Sequence, residues 1–110
     1  ITTTSGTKIL EVVKGDVKNY AVQPEDFGIA RTTIDQLKGG DPEENVHIAM
    51  NVLRGERGPR RDIVLLNAGA AIAVGGLADT IEGGMGLAEE SLDSGAALET
   101  LEKLKVATNM

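Results

Sequence analysis

Residues 62–74, DIVLLNAGAAIAV, form the longest mostly apolar run, broken only by Asp62 and Asn67. Their apolar positions fall on every side of a 3.6-residue wheel, which predicts a helix covered all round. Pro59 fits the first turn of such a helix, and Gly75-Gly76 supplies a stop. The β-rich stretch 63–66 also admits a strand. The alanines that follow favour the longer helix. The run falls short of the roughly 20 residues that a bilayer span needs.

Upstream, residues 8–13 (KILEVV) and 17–22 (VKNYAV) flank Lys14-Gly15-Asp16. Two β-prone runs around a glycine turn predict a hairpin, with Ile9, Val13, Val17 and Tyr20 as its partial apolar alternation and one face wet. Residues 1–4 read as the end of a strand and Ser5-Gly6 as a turn. Residues 23–28 (QPEDFG) break the hairpin, and Phe27 is expected to pin this connector to the core. A turn of helix over 33–37 follows, closed by Lys38-Gly39-Gly40.

The second half reads as helices. Asp41 caps, Pro42 takes the first position, and Glu43 and Glu44 complement the positive helix end. Val46, Ala49, Met50 and Leu53 mark its predicted inner face, and Gly55 ends it. Asp79 or Thr80 caps the next helix, with Ile81, Met85, Ala88 and Leu92 inward. Its glycines Gly83, Gly84 and Gly86 each cost about 1 kcal/mol of helix stability, a cost that makes sense where another helix approaches closely. Ser94 is the expected cap of a last helix with Ala97, Leu98, Leu101 and Leu104 inward, fraying over 105–110. The order is strand and hairpin (1–22), connector (23–40), then about four helices (41–110), an α+β arrangement.

Composition narrows the chemistry. A chain of 110 residues is one domain or a piece of one. With one Phe, one Tyr and no Trp, its core must be aliphatic and alanine-rich. The net charge of −6 argues against nucleic acid or an anionic membrane as partner. The absence of cysteine removes disulfides, thiol nucleophiles and cysteine metal sites. No targeting segment is visible, which makes the cytoplasm the expected location. The chain opens with Ile1 inside a β-prone run, the pattern of a fragment or processed piece.

Few residues offer chemistry. His47 falls off the predicted inner face, with Glu43 and Glu44 one turn back, and reads as a surface residue. Asn67 sits mid-run in the apolar helix and requires a hydrogen-bond partner, either a neighbouring loop or a ligand; the loop is favoured. Gly83-Gly84-Met85-Gly86 matches no phosphate-loop spacing. Ser5-Gly6-Thr7 could hold an anion on its backbone amides, but a turn is favoured. Arg57, Arg60 and Arg61 form a basic cluster able to clamp phosphate, but Glu56 and Asp62 dilute it, and a solvated turn is favoured. Glu43-Glu44 and Glu89-Glu90 read as solubilising surface pairs. No metal-ligand spacing, nucleophile–base set or nucleotide motif is present. On the residues alone, the chain is a soluble acidic α+β unit.

Its punctuation nevertheless resembles a known family in order and spacing. Pro24-Glu25-Asp26-Phe27-Gly28 resembles the PEDFG signature of anthranilate phosphoribosyltransferases. Leu37-Lys38-Gly39-Gly40-Asp41 with Glu44-Asn45 resembles the L-x-G-G-D-x-x-E-N that follows it there. Gly58-Pro59-Arg60-Arg61-Asp62 with Val64 to Ala68 resembles the family's G-x-x-R-D-x-V-x-L-N-A, and Ser94-Gly95-Ala96-Ala97 its last-helix S-G-A-A. Ile1 to Thr4 resembles the strand after the family's Asp-Glu metal motif.

The resemblance implies the C-terminal part of an α/β domain of the nucleoside phosphorylase/phosphoribosyltransferase type. It implies a parent enzyme that moves phosphoribose from phosphoribosyl pyrophosphate to anthranilate, with Mg2+, in tryptophan biosynthesis, and that dimerises through a small helical domain. The family's pyrophosphate loop, its K-H-G-N segment and its metal motif have no counterpart here. No catalytic, substrate-binding or metal residue is therefore assigned to a position of this chain; Asn67 and Thr3 come nearest. Supporting structure, inactive alone, is the expected role. Two alternatives stand beside it. One is a free-standing interaction module that recruits a partner through the strand edge at Ile1 to Thr4. The other is a related phosphoribosyltransferase or nucleoside phosphorylase with another acceptor. A unit that folds alone should leave part of the 62–74 helix or the opening strand uncovered, and should associate.

Overall fold

The computed structural model describes residues 1–109. Its hairpin joins β1 (Thr7–Val13) to β2 (Asp16–Val22). Lys14 and Gly15 both take positive φ, 51° and 84°, so the turn is a two-residue one of the kind that matches strand twist. That turn sets the register at Val13↔Asp16, Ile9↔Tyr20 and Thr7↔Val22. Asp16 therefore belongs to the strand. Val17 lies opposite Val12, and the expected sharing of one face by Val13 and Val17 does not occur, because a register fixed by two turn residues puts them on opposite sides. Leu10, Val12 and Val17 share one face, and all three are exposed.

The opening residues 1–4 do not form a strand. Neither hairpin strand pairs with them. Thr32 N–H instead donates to the Thr3 carbonyl at 3.0 Å, and Asn67 holds Ile1. A short 3-10 turn, Pro24–Phe27, follows the hairpin and ends at Gly28, whose φ is 72°. Pro24 and Ile29 are the buried residues of this connector and Phe27 is half-buried. The anchoring expected of Phe27 is shared with these aliphatic neighbours.

Helices α1 (Ile34–Leu37), α2 (Pro42–Leu53), α3 (Pro59–Val74), α4 (Ile81–Asp93) and α5 (Ala96–Thr108) complete the chain. Asp41 caps α2, its Oδ1 accepting from Glu44 N–H at 2.8 Å. Thr80 caps α4 by accepting from Gly83 N–H at 3.0 Å. Gly95, with φ 84°, is the residue that starts α5, while Ser94 closes α4 and its hydroxyl also accepts from Ala96 N–H at 3.4 Å, a weak form of the expected cap. Only Gly takes that φ readily between two helices packed so close in sequence. Residues 105–108 remain helical, held by Thr108 Oγ1 donating to the Leu104 carbonyl at 2.8 Å.

Val52, Leu65, Ala88 and Leu92 form the core, with Leu53, Ala68, Ile72 and Ala97 packed on it. In α2 Val52 is the buried residue; of the expected face Leu53 packs on the core and Met50 is half-buried, while Val46 and Ala49 are exposed. The expected face was rotated because Ile48 and Val52 make an equally good i, i+4 stripe. In α5, Leu98 and Leu101 are half-buried and Leu104 is exposed.

Helix α3 is a helix throughout, including the stretch that also admitted a strand, and it begins at Pro59. It is not covered all round. Arg61, Leu65, Leu66 and Gly69 are buried, while Val64 and Val74 face outward. One helix, α4, is its main neighbour. The two approach so closely that a Cβ on Gly69 would fall 2.6 Å from Met85 N, and one on Gly84 would run into the Gly69 carbonyl. The predicted close contact thus falls on Gly84. Gly83 and Gly86 are exposed and carry no such constraint.

Candidate functional site

Arg61 sits in the first turn of α3 and is 3% exposed. Its Nη1 donates to Asp93 Oδ1 at 2.9 Å and its Nη2 to Asp93 Oδ2 at 3.1 Å; Glu89 Oε1 lies 3.5 Å away. A planar guanidinium suits this two-point contact, which no lysine reproduces. The bond to Asp93 raises the Arg61 pKa and lowers that of Asp93. The solvated turn read from sequence is therefore corrected. Arg61 is a buried tie between the start of α3 and the end of α4, and Glu89 is not merely solubilising. The missed signal was the apolar face on which position 61 falls, four residues before Leu65.

The rest of the basic cluster borders a hollow of about 140 Å³ between α1, α2 and the start of α3. Gln36, Asn51, Glu56, Arg57 and Arg60 give its polar wall. Arg60 Nη2 donates to the Lys38 carbonyl at 2.9 Å, fastening the connector to α3. Asp62, one residue beyond, has its carboxyl raised chiefly by burial, with the Arg61 charge partly offsetting this.

Asn67 has the structural partner expected of it, although it lies at the exposed edge of α3 and not in its buried face. Its Nδ2 donates to Ile1 O at 2.7 Å and Ile63 O at 3.0 Å, and its Oδ1 accepts from the Ile1 amino group at 2.8 Å. Thr2, Thr4 and Thr7 are tied together by hydroxyls beside it. Thr3 is fully buried and its Oγ1 has no partner among the described residues.

His47 is exposed, as expected, and borders an open surface depression with Asp41, Glu43 and Glu44. Ser5-Gly6-Thr7 is a turn running into β1. Among the described residues no group of three or more His, Asp or Glu stands close enough to hold a metal ion. Glu89 and Asp93 are bound to Arg61. These residues do not fit the magnesium that the resemblance implies. No helix among them is long and apolar enough to cross a membrane.

Residues 1–98 match the family model described as glycosyl transferase family, a/b domain. The chain is 49% identical over 104 residues to the anthranilate phosphoribosyltransferase of Clostridium beijerinckii, covering 94% of this chain and 31% of that relative. To the anthranilate phosphoribosyltransferase of Rubrobacter xylanophilus it is 53% identical over 104 residues, 94% of this chain and 30% of the relative. The crystal structure of anthranilate phosphoribosyltransferase from Thermus thermophilus superposes with a TM-score of 0.81 at 40% identity, over 91% of this chain and 30% of that one. The chain spans about a third of the length of the curated relatives it matches.

Proposed function

The chain belongs to the glycosyl transferase family, a/b domain, and from that premise we propose that it is the supporting part of an anthranilate phosphoribosyltransferase. The whole enzyme would move phosphoribose from phosphoribosyl pyrophosphate to anthranilate in tryptophan biosynthesis. The observation that carries this reading is identity of 49% over 94% of the chain with an enzyme of that name. The reaction breaks the bond from ribose C1 to pyrophosphate and forms one to the anthranilate nitrogen, with charge building on the departing pyrophosphate. Preorganised donors at that charge dominate such catalysis.

What these residues contribute is geometry. Arg61 fixes α3 against α4, Arg60 fixes the connector to α3, and Asn67 fixes the Ile1 peptide to α3. Magnesium belongs to the proposal only for the whole enzyme, on ligands outside the described residues. The cytoplasm and a homodimer are proposed for the whole enzyme in the same way. The free-standing module loses its support, because the strand edge it requires at Ile1 to Thr4 is not formed.

A chimera tests the proposal. The matched third of the Clostridium beijerinckii relative is replaced by this chain, and anthranilate fluorescence is followed with phosphoribosyl pyrophosphate. Loss of fluorescence by the chimera, with none by the chain alone, is the expected result. A folded chimera that leaves anthranilate fluorescence unchanged would overturn the assignment to this enzyme. Turnover by the chain alone would overturn the supporting role.

A further inference from the structure

We propose that the hollow between α1, α2 and the start of α3 binds a small oxyanion, a phosphate or carboxylate group. Its walls hold Arg57, Arg60 and the carboxamides of Asn51 and Gln36, over an apolar floor of Ile48, Val52 and Pro59. The volume, about 140 Å³, suits a group of this size.

The donors around the hollow differ from several polar side chains already paired elsewhere. Arg31 is bound to Glu25 and Gln23, Asn45 to Gly40, Asn67 to Ile1, and Arg61 to Asp93. Around the hollow, the side chains of Arg57, Asn51 and Gln36 make no hydrogen bond among the described residues. Arg60 uses one N–H on the Lys38 carbonyl, a contact that also holds its guanidinium at the rim. A guanidinium has five N–H donors, so several remain.

Charge points the same way. Arg61 also borders the hollow, but its charge is met by Asp93 and Glu89. Glu56 is the one acid on the wall. Arg57 and Arg60 stand against it on the wall, with Asp93 also within Coulombic reach of Arg57, in a chain whose net charge is −6. Guanidinium and carboxamide donors converging on a partly enclosed space recognise an oxyanion through several directed bonds, which a spherical chloride cannot use as fully. The site stands independently of the transferase assignment.

Amide and side-chain NMR of the chain, titrated with inorganic phosphate and with acetate against chloride at matched ionic strength, tests this. Saturable shifts confined to Gln36, Asn51, Arg57, Gly58 and Arg60 are expected. Response to phosphate alone marks a phosphoryl group as the natural occupant; response to both oxyanions extends it to carboxylates. Arg57→Gln should weaken binding about tenfold, the value of one charge-assisted bond, while Arg54→Gln, on the same loop but outside the hollow, leaves it unchanged. Asn51→Asp adds a carboxylate to the wall without touching an arginine and should abolish binding, which keeps a test available where Arg57→Gln disturbs the loop. Equal shifts with chloride, or shifts spread over Arg31 and Arg54 as well, would overturn the site.

Discussion

Arg61 and Asp93 meet through two parallel bonds of 2.9 and 3.1 Å, with the guanidinium buried and the carboxylate half in water. Burial of an arginine is tolerable only while its charge is answered. Asp93 answers it with two bonds and Glu89 with one long contact. Asp93→Asn is therefore expected to lower the thermal midpoint more than Glu89→Gln. Arg61→Lys should behave like Asp93→Asn, because an ammonium cannot make the forked contact. Melting curves of the three variants give the order directly, and equal midpoints would contradict it.

The same pair has a pH signature. The Asp93 carboxyl is held below its ordinary value of 3.8 by its bond to Arg61. A depressed folded-state pKa contributes stability above the unfolded value, lost as pH falls through the folded one. The Asp93 contribution is thus present above pH 3.8 and disappears below it. Asp62 has the opposite sign: burial raises its carboxyl above 3.8, so its contribution is a penalty that grows as pH rises through the raised value. Relative to the parent, Asp62→Asn should gain stability between about pH 3 and about pH 7, and Asp93→Asn should lose it. Denaturation midpoints at both pH values separate the two.

Gly69 and Gly84 can be tested against a glycine of the same helix pair. Alanine at Gly84 would collide with the Gly69 carbonyl, and alanine at Gly69 with the Met85 backbone. Both should destabilise by about 1–3 kcal/mol, despite alanine's helix advantage of about 1 kcal/mol. Gly86 has open space at its Cβ position, so Gly86→Ala should stabilise by up to about 1 kcal/mol. Chemical denaturation of the three variants is the measurement.

Asn67 holds Ile1, and Thr32 N–H holds Thr3 from the other side. Asn67→Ala removes the carboxamide donor and acceptor together. Faster hydrogen exchange at Thr32 N–H is expected, with a loss of about 1 kcal/mol for the missing bonds. Unchanged exchange at Thr32 would show that Asn67 does not position the opening segment.

The hairpin leaves Leu10, Val12 and Val17 at 69%, 68% and 63% exposure on one face. A two-stranded hairpin is marginal by itself in water, and such a face favours association. Sedimentation of the chain should show concentration-dependent self-association that Leu10→Thr with Val17→Thr reduces. A monodisperse monomer at all concentrations would refute this.

Local chemistry determined much of the architecture. The apolar run before Gly75-Gly76 made α3, Asp41-Pro42 started α2, Thr80 was one of two proposed caps for α4, and Lys14-Gly15 turned the hairpin. Each is a signal carried by neighbours in sequence, where propensity and capping act. The quoted motifs also located the family, since their order is itself a property of the sequence. Tertiary structure decided the rest. Whether Val46 or Val52 faced the core depended on which side α3 and α5 occupied. Arg61 looked like part of a solvated basic turn until α4 brought Asp93, thirty-two positions away, against it. The chain marked Asn67 as needing a partner and left Ile1 unnamed. Alternative apolar stripes and unpaired charges look equivalent along one helix, and only the neighbouring element selects among them.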